Sequence, residues 1–276
     1  MAMLRTLALS GVMLVAAMSP LMAGRAEAVM ELLRLDEILE VMRVEGIEHG
    51  TSIGEAMLSP QDGEAWSGLV ARIYDTDRMR AIMVEGLESG LPGDGAAVEA
   101  AEAFFGSPLG RRVVELEVTA RRAMLDEAVE ESAREAWDEM AAEGGDRVAA
   151  LRRFVEVGDL VEQNVAGGLN ATFAFYVGLR DSGAGMADMG EADLLDEVRG
   201  QEAAIREEID GWLHAYLAMA FGPLDAAELE AYTDFFASRE GQALNSALFA
   251  GFNGMFEALS RQMGRAAGGM MLGEDL

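Results

Sequence analysis

The chain has 276 residues, 51% of them apolar, with 49 acidic against 21 basic residues, a net charge of −28 and no cysteine. Disulfides, thiol chemistry and lipidation of a cysteine are therefore excluded. Every basic residue is Arg, which removes lysine Schiff-base catalysis and the phosphate-cradling loop that needs a Lys, while the acidity repels nucleic acid and anionic lipid.

Residues 1–28 read as an export signal. Arg5 supplies a positive start, residues 7–18 are apolar apart from Ser10 and Gly11, Ser19-Pro20 breaks the run, and Ala26-Glu27-Ala28 fits a small-x-small cleavage site. The apolar run is too short for a bilayer, which needs about 20 residues. Cleavage after Ala28 and release into a periplasm, with no stable membrane insertion afterwards, is the expectation; an uncleaved anchor is the alternative. The rest is read as helical repeat 1 (29–145), helical repeat 2 (146–268) and a flexible tail (269–276), the chain loosening from Gly264 onward. No segment has the alternation and β-branched richness of a strand, so the fold class is all-α, two sequence-related multi-helix halves forming a bundle of about ten helices.

In chain order, Trp66, Leu69, Val70 and Ile73 begin one apolar helical face. Val113, Leu116, Ala120 and Met124 begin another, read as one helix running to about Ala142. Gly144-Gly145 stops it and Asp146 is placed to cap the next. Ile38-Leu39-Glu40-Val41 aligns with Phe154-Val155-Glu156-Val157 at a spacing of 116, and residues 181–190 form a Gly-rich loop that takes up extra length in the second half. Leu195, Val198, Ile205, Ile209, Trp212 and Tyr216 lie on one stripe of a helix of about 30 residues. Leu244, Leu248, Phe252, Met255 and Leu259 form the last stripe.

One motif occurs twice. Residues 92–110 and 223–241 share nine of 19 positions without a gap: Pro92 with Pro223, Asp94 with Asp225, Ala96 with Ala227, Glu99 with Glu230, and Ala100 with Ala231. Phe104-Phe105 matches Phe235-Phe236, Ser107 matches Ser238 and Gly110 matches Gly241. A gapless match of this kind indicates one helical unit used twice. Asp94 and Asp225 read as N-caps of a short helix, with Glu228 completing a capping box in the second copy. The Phe pairs close that helix, Ser107 and Ser238 cap the next long helix, and Pro108 suits its first position. Gly110 and Gly241 leave room for a helix to approach closely. The unit is short helix, aromatic corner, long helix, and its residues read as structural.

The motif, in an exported helical chain, resembles the bacterial domain-of-unknown-function family 2059, which has an aromatic pair, a Ser-Pro and a Gly at this corner. Phe104-Phe105, Ser107-Pro108 and Gly110 carry the likeness; the second copy has Arg239 in place of Pro. The resemblance implies a periplasmic helical protein and transfers no catalytic residue.

No catalytic, cofactor-binding or metal-binding set stands out. His49 and His214 lie four residues after Glu45 and Asp210, which suits a helical carboxylate–imidazole pair but neither the Glu-x-x-His of di-iron bundles nor H-E-x-x-H. Acidic neighbours such as Glu130-Glu131, Asp196-Glu197 and Glu207-Glu208 read as solvated faces, and Asp75-Thr76-Asp77 lacks the Gly and terminal Glu of a calcium loop. Met186, Met189, Met270 and Met271 offer thioethers to Cu(I), whereas Met79, Met83, Met124 and Met255 read as core filler. The leading expectation is a non-enzymatic envelope protein acting through helix–helix association, as a homo-oligomer or with a periplasmic partner. The alternative is a carrier or holdase in which Met-, Ala- and Gly-rich faces leave room for an apolar ligand. A carboxylate-type hydrolase comes third.

Overall fold

The computed structural model describes residues 20–273, so the apolar run read as part of an export signal lies outside the described residues. The apolar stripes fold into thirteen α-helices, with no strand among the described residues: α1 (Pro20–Leu32), α2 (Leu35–Met57), α3 (Gly63–Ile73), α4 (Thr76–Gly90), α5 (Ala96–Phe105), α6 (Pro108–Ala123), α7 (Glu127–Glu143), α8 (Asp146–Val157), α9 (Leu160–Asp181), α10 (Glu191–Gly200), α11 (Glu202–Phe221), α12 (Ala226–Ala237) and α13 (Arg239–Met271). Here α13, at 33 residues and about 50 Å, is the axis; α9 and α4 lie along it, while α11 packs on α6, α7 and α9. One contiguous core runs from Ala26 in α1 to Ala267 in α13 and draws on both sides of residue 145.

Small residues decide how closely the axis is approached. A methyl group on Gly264 would strike the Phe175 carbonyl of α9, and one on Gly178 the Arg261 carbonyl of α13; on the opposite face, Gly86 of α4 lies against the Gly251 backbone. The tail expected to be loose from Gly264 is therefore helix through Met271, with Gly264, Ala266, Ala267, Gly268 and Gly269 buried. Composition suggested mobility because glycine costs a helix about 1 kcal/mol relative to alanine; the backbone contact that glycine permits offsets that cost.

Two long helices of the sequence reading are each divided. The stretch expected to run from residue 108 to 142 breaks at Met124–Asp126, where the Asp126 carboxylate accepts from the Ala128 amide and caps α7. The 30-residue helix breaks at Gly200-Gln201, with the Gln201 amide donating to Tyr176 Oη (2.8 Å). Gly144 ends α7 at φ 73° as expected, but the cap of α8 is Gly145, and Asp146 sits inside the first turn, favourable there through its charge.

The duplicated corners have matching local geometry. Ser107 and Ser238 each accept from the amide of the Gly three residues on, both at 3.0 Å. The backbone that closely approaches Gly110 and Gly241 is the last turn of the preceding short helix, at the carbonyls of Phe104 and Phe235. Asp225 caps α12 in a full capping box, whereas at the first corner Gly95 takes the cap position (φ 79°) and Asp94 accepts from Ala96 instead. The Pro92 and Pro223 carbonyls each accept from an arginine, Arg25 and Arg112, and Glu99 and Glu230 are exposed. The correspondence at a spacing of 116 does not hold, since Ile38 to Val41 lie early in α2 and Phe154 to Val157 end α8. Geometry instead pairs Arg34, between α1 and α2, with Asp159, between α8 and α9: both have φ 52°, the two non-glycine residues with positive φ among those described.

This pairing gives α1 a structural duty. Ala26, Val29 and Met30 have 0% exposure, Arg25 donates to the Pro92 and Gly93 carbonyls (3.0 and 3.1 Å), and Glu27 pairs with Arg80. The processing point expected after Ala28 falls inside this helix. A chain starting at Val29 should be less stable than one starting at Gly24 by about 1–3 kcal/mol, from the lost hydrogen bonds and apolar burial, readable as urea midpoints. Gly264→Ala should cost about 1–3 kcal/mol by forcing α13 off α9. Gly254→Ala, on the same helix with nothing within 4 Å of the new methyl, should gain about 0.5–1 kcal/mol.

Candidate functional site

The two aromatic corners meet. Phe104 stacks on Phe235 (ring centroids 4.6 Å, 17°) and lies parallel to Tyr232 at 5.5 Å. Phe105 meets Tyr232 edge-on at 6.1 Å, and Tyr232 in turn packs with Phe154, Phe221 and Phe236. The outer rings close the seam between α5 and α12. The inner rings, Phe105 and Phe236, face a half-open cavity of about 510 Å³ lined by α2, α5, α6, α8, α9, α11, α12 and α13. Thus the motif read as purely structural also builds one wall of an apolar hollow.

The cavity wall is mostly hydrocarbon and aromatic: Ile38 and Met42 from α2, Val114 and Val118 from α6, and Leu248, Phe252 and Phe256 from α13. Gly167, Gly168 and Ala171 thin the α9 wall, and Asn164 is the lining residue that reaches exposed surface. The methionines that were read as filler do fill core: Met79, Met83, Met124 and Met255 are all buried.

One acid projects from this wall. Glu117 falls on the same stripe of α6 as Val113, Val114 and Val118, and its carboxylate Oε1 accepts from Tyr232 Oη (2.9 Å). Tyr216 Oη donates to the Glu117 backbone carbonyl (3.2 Å) and its ring stacks on Trp212 at 5.1 Å. Desolvation dominates the carboxyl and raises its pKa to about 7, the Tyr232 hydrogen bond opposing it; the accessible surface Glu117 keeps faces the cavity it lines. Both tyrosines are pushed well above their usual value by burial and by the Glu117 charge. Arg121, one turn on, donates to Glu45 (2.6 Å) and covers the Trp212 ring at 4.5 Å. Burial raises Glu45 in spite of this partner. Glu117 is the sole acid in the cavity wall, so a pair of converging carboxylates is lacking there among the described residues.

The other candidates lie elsewhere. His214 is buried, stacks on Trp137 (4.7 Å), bonds the Asp210 carbonyl through Nδ1 (2.9 Å) and lies 3.4 Å from the Asp210 carboxylate. This is the helical pair expected, and it ties α11 to α7. His49 is exposed and Glu45 turns to Arg121 instead. Glu130 and Glu208 share Arg134, Asp196 pairs with Arg199, and Glu131, Glu197 and Glu207 are exposed. Asp75 caps α4 by accepting from the Arg78 amide (3.0 Å). Met186 and Met189 lie in the loop after α9, Met270 packs on the core and Met271 is 45% exposed. Among the described residues no group of three or more His, Asp or Glu is placed to hold a metal, and no helix is long and apolar enough to cross a membrane.

Glu117, Tyr216, Tyr232 and Arg121 were not singled out from sequence. The available signal was an acid at a core position of an apolar stripe, since Glu117 follows Val113 and Val114 by four and three residues. Compared with family models, curated proteins and solved structures, the chain matches none of them.

Because the folded state holds the Glu117 proton more tightly than the unfolded chain (ordinary value 4.5), its contribution is full below pH 4.5 and is lost as pH rises through 7. Between pH 5 and 8 the wild type should lose about 3 kcal/mol more stability than Glu117→Gln. Parallel urea titrations of the two proteins across that range would show it; parallel pH profiles would refute it.

Proposed function

We propose that this is an exported periplasmic carrier that holds a small apolar ligand beside its two stacked aromatic corners, and that its halves descend from one duplicated helical unit. The observation that carries the reading is the cavity: about 510 Å³, walled by aromatic and aliphatic side chains, with a single carboxyl placed inside. Specific small-molecule sites have this composition, a mostly apolar wall with few oriented polar groups. The resemblance to the helical periplasmic family is carried by the corner motif alone and fits this reading.

Association through exposed helix faces has less to work with. The large hydrophobic residues exposed among those described are four, Val44, Leu195 and the adjoining Met271 and Leu272. Hydrolysis by a carboxylate pair lacks its second acid in the cavity.

The neutral fluorophore 1-N-phenylnaphthylamine should bind with a stoichiometry of one. At a hundred times its Kd it should stabilise the fold by about 2.7 kcal/mol. Ala171→Trp, which places an indole in the cavity, should weaken binding at least about tenfold while the protein still melts cooperatively. Unchanged affinity in that variant would place the probe elsewhere and remove the basis of the proposal.

A further inference from the structure

At Glu117 the hydrogen-bonding capacity left open is that of an acceptor. The Tyr232 hydroxyl proton is engaged by Glu117 Oε1 and the Tyr216 hydroxyl proton by the Glu117 carbonyl. Nothing among the described residues donates to Glu117 Oε2. What remains at this inner end once the carboxyl is ionised is acceptor capacity: Oε2 and the free lone pairs of two phenolic oxygens. A guest that brought only acceptors would leave every one of these groups unpaired away from water.

The charge pattern points the same way. Arg121 is the one cation in the cavity wall; its charge is answered by Glu45 and its guanidinium is laid over Trp212. Glu117 has no cationic partner among the described residues. Aromatic rings, whose faces attract cations, crowd the same end: Tyr232 with Phe105, Phe154 and Phe236. Outside, a net charge of −28 draws cations toward the chain.

We propose that the ligand is an apolar amine, a hydrophobic body carrying a protonated nitrogen that donates to Glu117 Oε2 at the inner end of the cavity. The inference rests on the carrier reading and specifies its ligand. An alkyl carboxylate adds acceptors to acceptors, and an alcohol supplies one donor without charge. The groups facing Glu117 are Tyr216 from α11, Tyr232 from α12 and Arg121 on its own helix, with Glu45 of α2 beyond Arg121. Burial keeps the empty carboxyl largely protonated below pH 7, so an amine that needs the ionised form should bind more tightly as pH rises from 6 to 8.

The test is displacement of 1-N-phenylnaphthylamine from the full chain by dodecylamine, dodecanol and dodecanoate at equal ionic strength. At pH 7.5 dodecylamine should half-displace the probe at about a tenfold lower concentration than the other two, the worth of one charge-assisted hydrogen bond. Its advantage over dodecanol should grow between pH 6 and 8 in the wild type, a readout that needs no variant. In Glu117→Gln the three ligands should fall within about threefold of one another. Dodecanoate displacing as well as the amine would place the polar head at Arg121 and overturn the inference. An amine preference that survives Glu117→Gln, or one flat with pH, would assign it to the acidic surface and overturn it too. A wild type that does not bind the fluorophore at all would defeat the carrier reading itself, a distinct outcome.

Discussion

The structure depends on how closely α13 can be approached. Backbone-to-backbone contact at Gly264 and Gly178 on one side and at Gly86 and Gly251 on the other lets α9 and α4 lie against a single 33-residue helix. With the axis gripped at those points, the remaining helices complete one core shared by both halves instead of two cores joined by a linker. Exposed ion pairs do little beyond this. Asp181, its carboxyl pKa lowered by Arg261, Arg265 and Arg180, gathers the ends of α9 and α13 at the surface, where solvent screening keeps such pairs weak.

Larger side chains of the surrounding helices leave a gap beside this axis. The cavity lies there, with thin walls where α9 carries Gly167, Gly168 and Ala171 and heavy ones where α13 carries Phe252 and Phe256. Placing Glu117 in that gap is unfavourable for the fold, since a carboxyl without a cation partner resists ionisation. The paired aromatic corners support this strained centre from one end: Phe104 and Phe235 lock the seam, and Tyr232, from the second corner, supplies the one hydrogen bond that Oε1 receives. A residue kept in an energetically poor place, with an open acceptor facing a hollow, is the pattern expected of a recognition group rather than of packing.

Several elements were legible in the residues because their causes are local. The Ser107 and Ser238 caps, the Asp225-Glu228 box, the Gly144 stop and the buried methionines follow from hydrogen bonds within four residues or from 3.6-residue periodicity. The misread places had non-local causes. Glycine and alanine after Gly264 looked like a loose tail, because the stabilising partner, the α9 backbone, lies over 80 residues away in sequence. The breaks at Met124–Asp126 and Gly200-Gln201 interrupt stripes whose periodicity alone would continue.

The sequence by itself determined that the chain is all-helical, acidic, free of cysteine and lysine chemistry, and built around a motif used twice, since composition and short-range periodicity suffice for each. Only the tertiary structure decided that the two corners stack on one another, that α1 belongs to the core, and that Glu117, Tyr216 and Tyr232 meet around one cavity. Those three side chains come from α6, α11 and α12, so nothing in their spacing could announce them. A carboxylate among 49 acids becomes distinctive only when packing removes its water.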